Sequence, residues 1–203
     1  RPSRKHAMTE RFTQIAYEDL SPEVRPMADY ILRISSAGLG GPYNALMRSP
    51  VMAQRTLDLL DYLRFNTSVP KRLNEFAILI QARISNAQYE WWAHERIARK
   101  AGLSDGVMAG LRECRRPDGM QPDEALVYDF CVQLSLNHRV SDDVWARAIA
   151  SMGEQQVIDL VVLSGTYVMV SMLLNATQVG IPNGEPLPLT VLPPHEIHQR
   201  LLA

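Results

Sequence analysis

The chain has 203 residues, enough for one large or two small domains at about 150 residues each, and folding at this size buries a core without disulfides or metals. Lys and Arg total 21 against 22 Asp and Glu, so the formal net charge of −1 lacks the basic footprint of a protein that rides on phosphate backbones, and nucleic acid is not an expected partner. A hydrophobic share of 46% beside 21% charged residues belongs to a globular domain and excludes wholesale disorder.

Two cysteines, Cys114 and Cys131, are too few for a disulfide framework and wrongly spaced for a Cys-x-x-Cys pair or a zinc site. A reducing, cytoplasmic setting fits them. The run Arg1-Pro2-Ser3-Arg4-Lys5-His6 is basic like the start of an export signal, but Thr9, Glu10, Arg11 and Gln14 follow where an apolar stretch would stand. Residues 1–20 read as an extension ahead of the folded body, and no export signal is expected.

Helix start signals recur along the chain: Ser21-Pro22, Ser49-Pro50, Ser68 with Pro70, Ser104 and Ser141 each precede an amphipathic run. They predict helices near 22–35, 50–65, 70–84, 87–101, 104–113, 122–138, 141–151 and 154–176, with short ones at 43–48 and 195–202. No stretch alternates apolar and polar residues over a strand length, so the predicted class is all-α. Residues 21–176 form one helical domain in this reading.

Two segments break the helical pattern. Residues 36–42, Ser-Ala-Gly-Leu-Gly-Gly-Pro, are either a plain connector or a loop lining a pocket, since glycine there permits positive φ or close approach. Residues 180–194 contain too many prolines for a helix and read as an extended arm. Within the region 177–203, Leu187, Leu189, Val191 and Leu192 require cover from the protein's own core or from a neighbouring subunit. The apolar run from Val157 to Leu174 carries Asp159, Ser164, Gly165, Thr166 and Ser171, which fits a buried central helix better than a membrane span. A homo-oligomer, whether dimer, trimer or hexamer, would help to cover such a helix.

One stretch carries chemistry. Glu75 lies on a run that is otherwise nearly all apolar, so its carboxylate belongs at a rim or inside with a partner. After Ser85-Asn86, Glu90 and His94 fall four apart and share a helix face. The helix dipole favours an ionised carboxylate in the first turn, so Glu90 is expected to be charged and to orient the His94 imidazole, the side chain best suited to moving protons near neutral pH. Tyr89, Trp91 and Trp92 around the dyad are either core filling or a substrate wall. A metal reading of Glu75, Glu90 and His94 fails the helical-bundle di-iron pattern, which wants Glu and His three apart and duplicated, so neither metal nor cofactor is expected. His195 and His198 read as part of a solvated end.

The segment from Glu75 to His94, continued by Ile97-Ala98-Arg99-Lys100-Ala101-Gly102-Leu103-Ser104, resembles the carboxymuconolactone decarboxylase family, which includes the alkylhydroperoxidase D-like proteins. Gly41-Pro42, Ser49-Pro50, the stretch from Pro70 to Glu75, Val140-Ser141-Asp142 and Gly165-Thr166-Tyr167 extend the likeness over roughly residues 38–176. The peroxidase-like branch places a Cys-x-x-Cys pair where this chain has Ala87 and Glu90, so thiol chemistry is not expected. The decarboxylase branch is the better match, because it needs no cysteine. Typical members are shorter, lacking the helical material before residue 50 and the arm after 176, which points to a different substrate.

That resemblance implies a cofactor-independent lyase acting on a small carboxylated lactone or another intermediate of aromatic breakdown. His94 would transfer the proton, Glu90 would orient it and Glu75 would serve in the pocket. A carboxylate substrate wants a cation, for which Arg64, Arg72 and Arg83 are candidates, with Tyr89, Trp91 and Tyr167 as further pocket residues. Tyr43, Asn44 and Asn175 are polar groups that fit either a pocket or a structural hydrogen bond. The alternative is a non-catalytic scaffold of the same family that binds a small molecule or a protein.

Overall fold

A computed structural model describes residues 10–35 and 37–203. Residues 1–9 of the predicted extension, and Ser36 of the glycine-rich segment, lie outside the described residues. The protein is all-α: nine α-helices and no strand occur among the described residues. They are α1 (Arg25–Ile34), α2 (Pro42–Leu46), α3 (Pro50–Asp61), α4 (Lys71–Ile84), α5 (Gln88–Lys100), α6 (Asp105–Arg112), α7 (Pro122–Asn137), α8 (Asp142–Thr177) and α9 (Pro194–Leu202).

The start signals act through two devices. Ser104 and Ser141 cap α6 and α8 by accepting the backbone N–H of Val107 at 3.2 Å and Val144 at 3.4 Å. Proline instead occupies the first turn of α1, α2, α3, α7 and α9, where its missing N–H costs nothing. This explains one shift from the expected boundaries: α1 begins at Arg25 and not at Pro22, because Pro26 belongs in a first turn. Helix α8 runs through the expected gap at 152–153, but Gly153 within it has φ 77° and ψ 168°, so the path breaks where two helices were read.

Helix α4 is the axis of the molecule. Every residue from Leu73 to Arg83 is buried, because α5, α7 and α8 all pack against α4. The main core gathers around it, with Phe76, Leu79, Trp91, Phe130, Leu160 and Leu163 among its members. A second core joins Ile31, Leu46, Ala53 and Leu57 of α1–α3. Residues 10–20 are not a loose extension: Leu20 belongs to this second core, Arg11 N–H bonds the Thr177 carbonyl at 2.9 Å, and the Asn44 side chain holds Ile15 N–H and the Thr13 carbonyl.

The arm after α8 wraps the protein's own core. The Gln88 side-chain amide pairs both ways with the Leu189 backbone at 2.9 Å, and the Asn86 amide does the same with Leu192. Leu189 is thereby buried, whereas Leu187 and Val191 remain exposed. Helix α8 is long and apolar enough to cross a membrane by length and composition, yet more than half of its most apolar stretch is buried in the fold. Ile158, Val162 and Met172 on it stay exposed.

Asp159 fastens α8 to the segment before α4. Its carboxylate accepts from Tyr62 Oη, Thr67 Oγ1, Ser68 Oγ and the Ser68 backbone N–H, at 2.7 to 3.1 Å. Burial alone would raise this carboxyl, but those donors outweigh it and hold it below the usual aspartate value. As pH falls, the unfolded chain therefore takes up the proton first, near its ordinary value of about 3.9. The stabilisation is complete above that value and is lost as pH drops through the lower folded-state value. Asp159→Ala, which strands four donors, is expected to cost about 3 kcal/mol at pH 7 in chemical denaturation, with the difference from the parent shrinking below pH of about 4.

Candidate active site

The turn at Ser85-Asn86 sends the chain back on itself so that α4 and α5 lie antiparallel, and Asn86 takes φ 50° there, a conformation asparagine tolerates. Glu75 and His94 stand about equally far on either side of this turn, so the antiparallel pair brings them abreast. His94 Nδ1 meets Glu75 Oε2 at 2.7 Å. On the other side Lys71, one turn earlier on α4, reaches Glu75 Oε1 at 2.6 Å. Burial would raise the Glu75 carboxyl, but the His94 ring and the Lys71 ammonium more than offset it, leaving it below the usual glutamate value and ionised at neutral pH.

His94 opens onto a cavity of about 430 Å³, a size suited to a small organic ligand. The cavity lies where the two cores meet, with Pro42 and Tyr43 on one side and residues of α5 and α8 on the other. Because Nδ1 is engaged by Glu75, Nε2 is the ring nitrogen left for a ligand. The Tyr167 ring stands edge-on to the imidazole, with centroids 5.1 Å apart, and burial pushes its phenol well above the usual tyrosine range, so it stays neutral.

Arg64 enters the wall from a π-helical turn, Tyr62–Asn66, that continues α3, a wider turn often found at functional sites. Its Nη1 donates to Tyr43 Oη at 2.9 Å, and among the described residues no carboxylate lies within ion-pair distance of it. Burial works against the charge, but the surrounding tyrosines and Glu75 outweigh it and raise the guanidinium above its usual value, so it remains a cation. Tyr89 and Trp92 form an aromatic section of the wall, with ring centroids 5.5 Å apart. At the rim, Glu185 of the arm accepts from Trp92 Nε1 at 2.9 Å and from Arg96 at 2.8 Å.

Of the residues read from the sequence, His94, Glu90, Arg64, Tyr89 and Tyr167 border this cavity, and Glu75 supports His94 from behind the wall. Three expectations are corrected. Glu90 does not hold the imidazole; Glu75 does, because the antiparallel neighbour reaches Nδ1 while Glu90 is turned to Ser171, whose Oγ donates to Glu90 Oε2 at 2.9 Å. Glu90 is also not the charged group that helix-dipole reasoning implied: complete burial pushes its carboxyl well above the usual range, and the Ser171 bond only partly opposes this. Trp91 and Arg83 do not form the pocket wall. Trp91 is fully buried in the main core, bonded to Glu95 at 3.0 Å, and Arg83 faces the arm, where it holds the Thr190 and Arg112 carbonyls and the Asn86 side chain.

Other polar candidates serve the structure. Arg72 is taken by Asp123 and Glu124, Asn44 by residues 13–15 and Arg48, and Asn175 by the Ser85 carbonyl. Trp92, read as core filling or substrate wall, lines the cavity. Sequence reasoning passed over Lys71 and Ser171 at this site. Lys71 carried a signal, since it stands one turn before Glu75, whereas Ser171 is matched to Glu90 only by the packing of α8 on α5. Cys114 and Cys131 are buried away from the cavity, and burial pushes the Cys131 thiol up to about 12. Among the described residues no group of three His, Cys, Asp or Glu side chains is placed to hold a metal ion.

The described part of the loop at 36–42, residues 37–42, lines the pocket, with Ala37 and Pro42 in its wall. Gly41 there has φ 61° and ψ −139°, and a Cβ on it would fall 2.6 Å from Tyr89 Oη. Gly41→Ala is therefore expected to lose about 1–3 kcal/mol in thermal or chemical denaturation and to push the Tyr89 ring into the cavity, read as a change in its fluorescence or NMR signals. In comparisons with known proteins, the chain matches no family model and no curated protein shows significant similarity to it.

Proposed function

We propose that this protein is a cofactor-independent lyase of the carboxymuconolactone decarboxylase type, acting on a small carboxylated lactone or a related intermediate of aromatic breakdown. The observation that carries this reading is the 2.7 Å His94–Glu75 contact at the wall of a cavity that also contains the Arg64 cation without a carboxylate partner among the described residues. Arg64, steadied by Tyr43, would bind a carboxylate of the substrate. Breaking the bond to the departing carbon dioxide sends its electron pair through the conjugated ring to the lactone carbonyl oxygen. His94 then delivers a proton to the ring carbon and is reprotonated from solvent, while the ionised Glu75 keeps the imidazole oriented. The chemistry needs neither a thiol nor a bound cofactor.

Burial of both cysteines outside the cavity supports acid–base chemistry over a peroxidase of the same fold type. The uncovered Ile158, Val162 and Met172 on α8 support a homo-oligomer, and the thiols suit the cytoplasm. A non-catalytic binding scaffold is the second reading. It draws on the Lys71–Glu75–His94 line, which is electrostatically complete by itself and needs no reaction to explain it.

Proton NMR of carboxylated lactones and ring-cleavage acids in deuterated buffer distinguishes the two. The lyase reading expects carbon dioxide loss with deuterium entering the product, and a drop of about 100-fold or more in His94→Ala, the scale of general acid–base work. A His94→Ala variant as active as the parent removes His94 from the mechanism, and tight binding without turnover supports the scaffold. Arg64→Gln is expected to raise KM for carboxylate substrates by roughly tenfold or more, with a smaller change in kcat, as fits a group that holds substrate and transition state alike.

A further inference from the structure

The mechanism above leaves the Glu90 carboxyl without a task. Glu90 is a lining residue of the cavity in the first turn of α5, one helical turn before His94, and it is 1% exposed. Ser171 on α8, itself fully buried, donates its hydroxyl to Oε2. Oε1 is also buried and has no hydrogen-bond partner among the described residues. Neither nearby cation pairs with Glu90, since Arg64 donates to Tyr43 Oη and Lys71 holds Glu75, and the polar residues that share this part of the wall are His94 and Tyr167.

A carboxyl in such a place is a neutral acid, and burial holds it so. Since Ser171 donates to Oε2, the acid proton belongs on Oε1, the oxygen for which the protein supplies no acceptor. We propose that Glu90 is the ligand-recognition donor of the cavity, its Oε1–H binding the ring carbonyl oxygen of a small cyclic carbonyl compound whose carboxylate is taken by Arg64. The inference rests on the carboxylated-lactone reading and adds the group that recognises the carbonyl. A buried donor built for one acceptor discriminates strongly against a ligand that lacks it, because the donor is then left unpaired. The same bond strengthens as negative charge gathers on that oxygen, which a fixed donor in a dry site accomplishes without reorganisation. The proton stays on Glu90 throughout; His94 supplies the one that reaches carbon.

The test is calorimetric binding of two probes, tetrahydrofuranone carboxylate and its ring ether tetrahydrofuran carboxylate, which differ in the ring carbonyl alone. The parent is expected to prefer the lactone by about 30-fold or more. Glu90→Gln, which keeps a donor, should hold that preference to within about threefold, and Glu90→Leu should bring it near parity. Infrared difference spectra of the parent should show a protonated carboxyl band that shifts on adding the lactone and is absent in Glu90→Gln, a readout that needs no folded leucine variant. Equal preference in Glu90→Leu and the parent, or no protonated carboxyl band in the parent, overturns the Glu90 proposal while leaving the lyase reading standing. Failure of the parent to bind the lactone acid overturns both the Glu90 donor and the Arg64 anion site. Carbon dioxide release, measured separately, decides the lyase reading by itself.

Discussion

A carboxylate cannot be carried into the middle of a packed bundle unless partners for its charge come with it, and Glu75 on α4 is where this protein meets that constraint. The helix is buried on nearly every side, so water is not available as the partner. Lys71 answers from one turn earlier on the same helix, and His94 answers from α5. The second contact also fixes the register of the two central helices, because sliding α5 along α4 by one turn would move the imidazole about 5 Å from the carboxylate. The placement of every α5 residue on the cavity wall follows from that register, Glu90 and Trp92 included. The contact that helps to make a buried glutamate tolerable thus also sets the geometry of the site.

The backbone plan was legible because it rests on local chemistry. Serine caps and prolines of the first turn act within three or four residues, so the helix starts could be read in order, and Gly153 marked the break in α8 through its own lack of a side chain. The one displaced start, at α1, came from choosing the wrong proline of two. The pairing of Glu75 with His94 was within reach as well, given a tight turn midway between them. Side-chain fate was less legible. Trp91 and Trp92 are neighbours of one residue type, yet one is sealed in the core and the other lines the cavity, a difference set by which face of α5 packs against the core. Arg83 looked like a substrate cation, and the arm that absorbs it lies more than a hundred positions away.

That arm has a physical role in the site. A proline-rich segment cannot form helix and has few N–H groups to spend on pairing, so it is held by side-chain amides, Asn86 and Gln88, that imitate a strand partner. Both amides flank the start of α5. The anchoring leaves residue 185 over the cavity rim, where the Glu185 carboxylate joins Trp92 and Arg96. This contact is half exposed and therefore weak, on the scale of about 0–1 kcal/mol for a surface ion pair.

Glu90 shows which of two opposing electrostatic effects is the larger. Helix-dipole reasoning favours an ionised carboxylate in a first turn by about 0.3–1 kcal/mol, but that argument assumes water or a cation beside the group. Complete burial costs an uncompensated carboxylate several kcal/mol, so the larger effect prevails and the proton stays on. Glu75 is buried to the same degree and keeps its charge, since the Lys71 ammonium and the His94 ring flank it. Two glutamates on adjacent helices therefore hold opposite protonation states at the same pH, and the difference comes down to where Lys71 and His94 sit relative to each carboxyl.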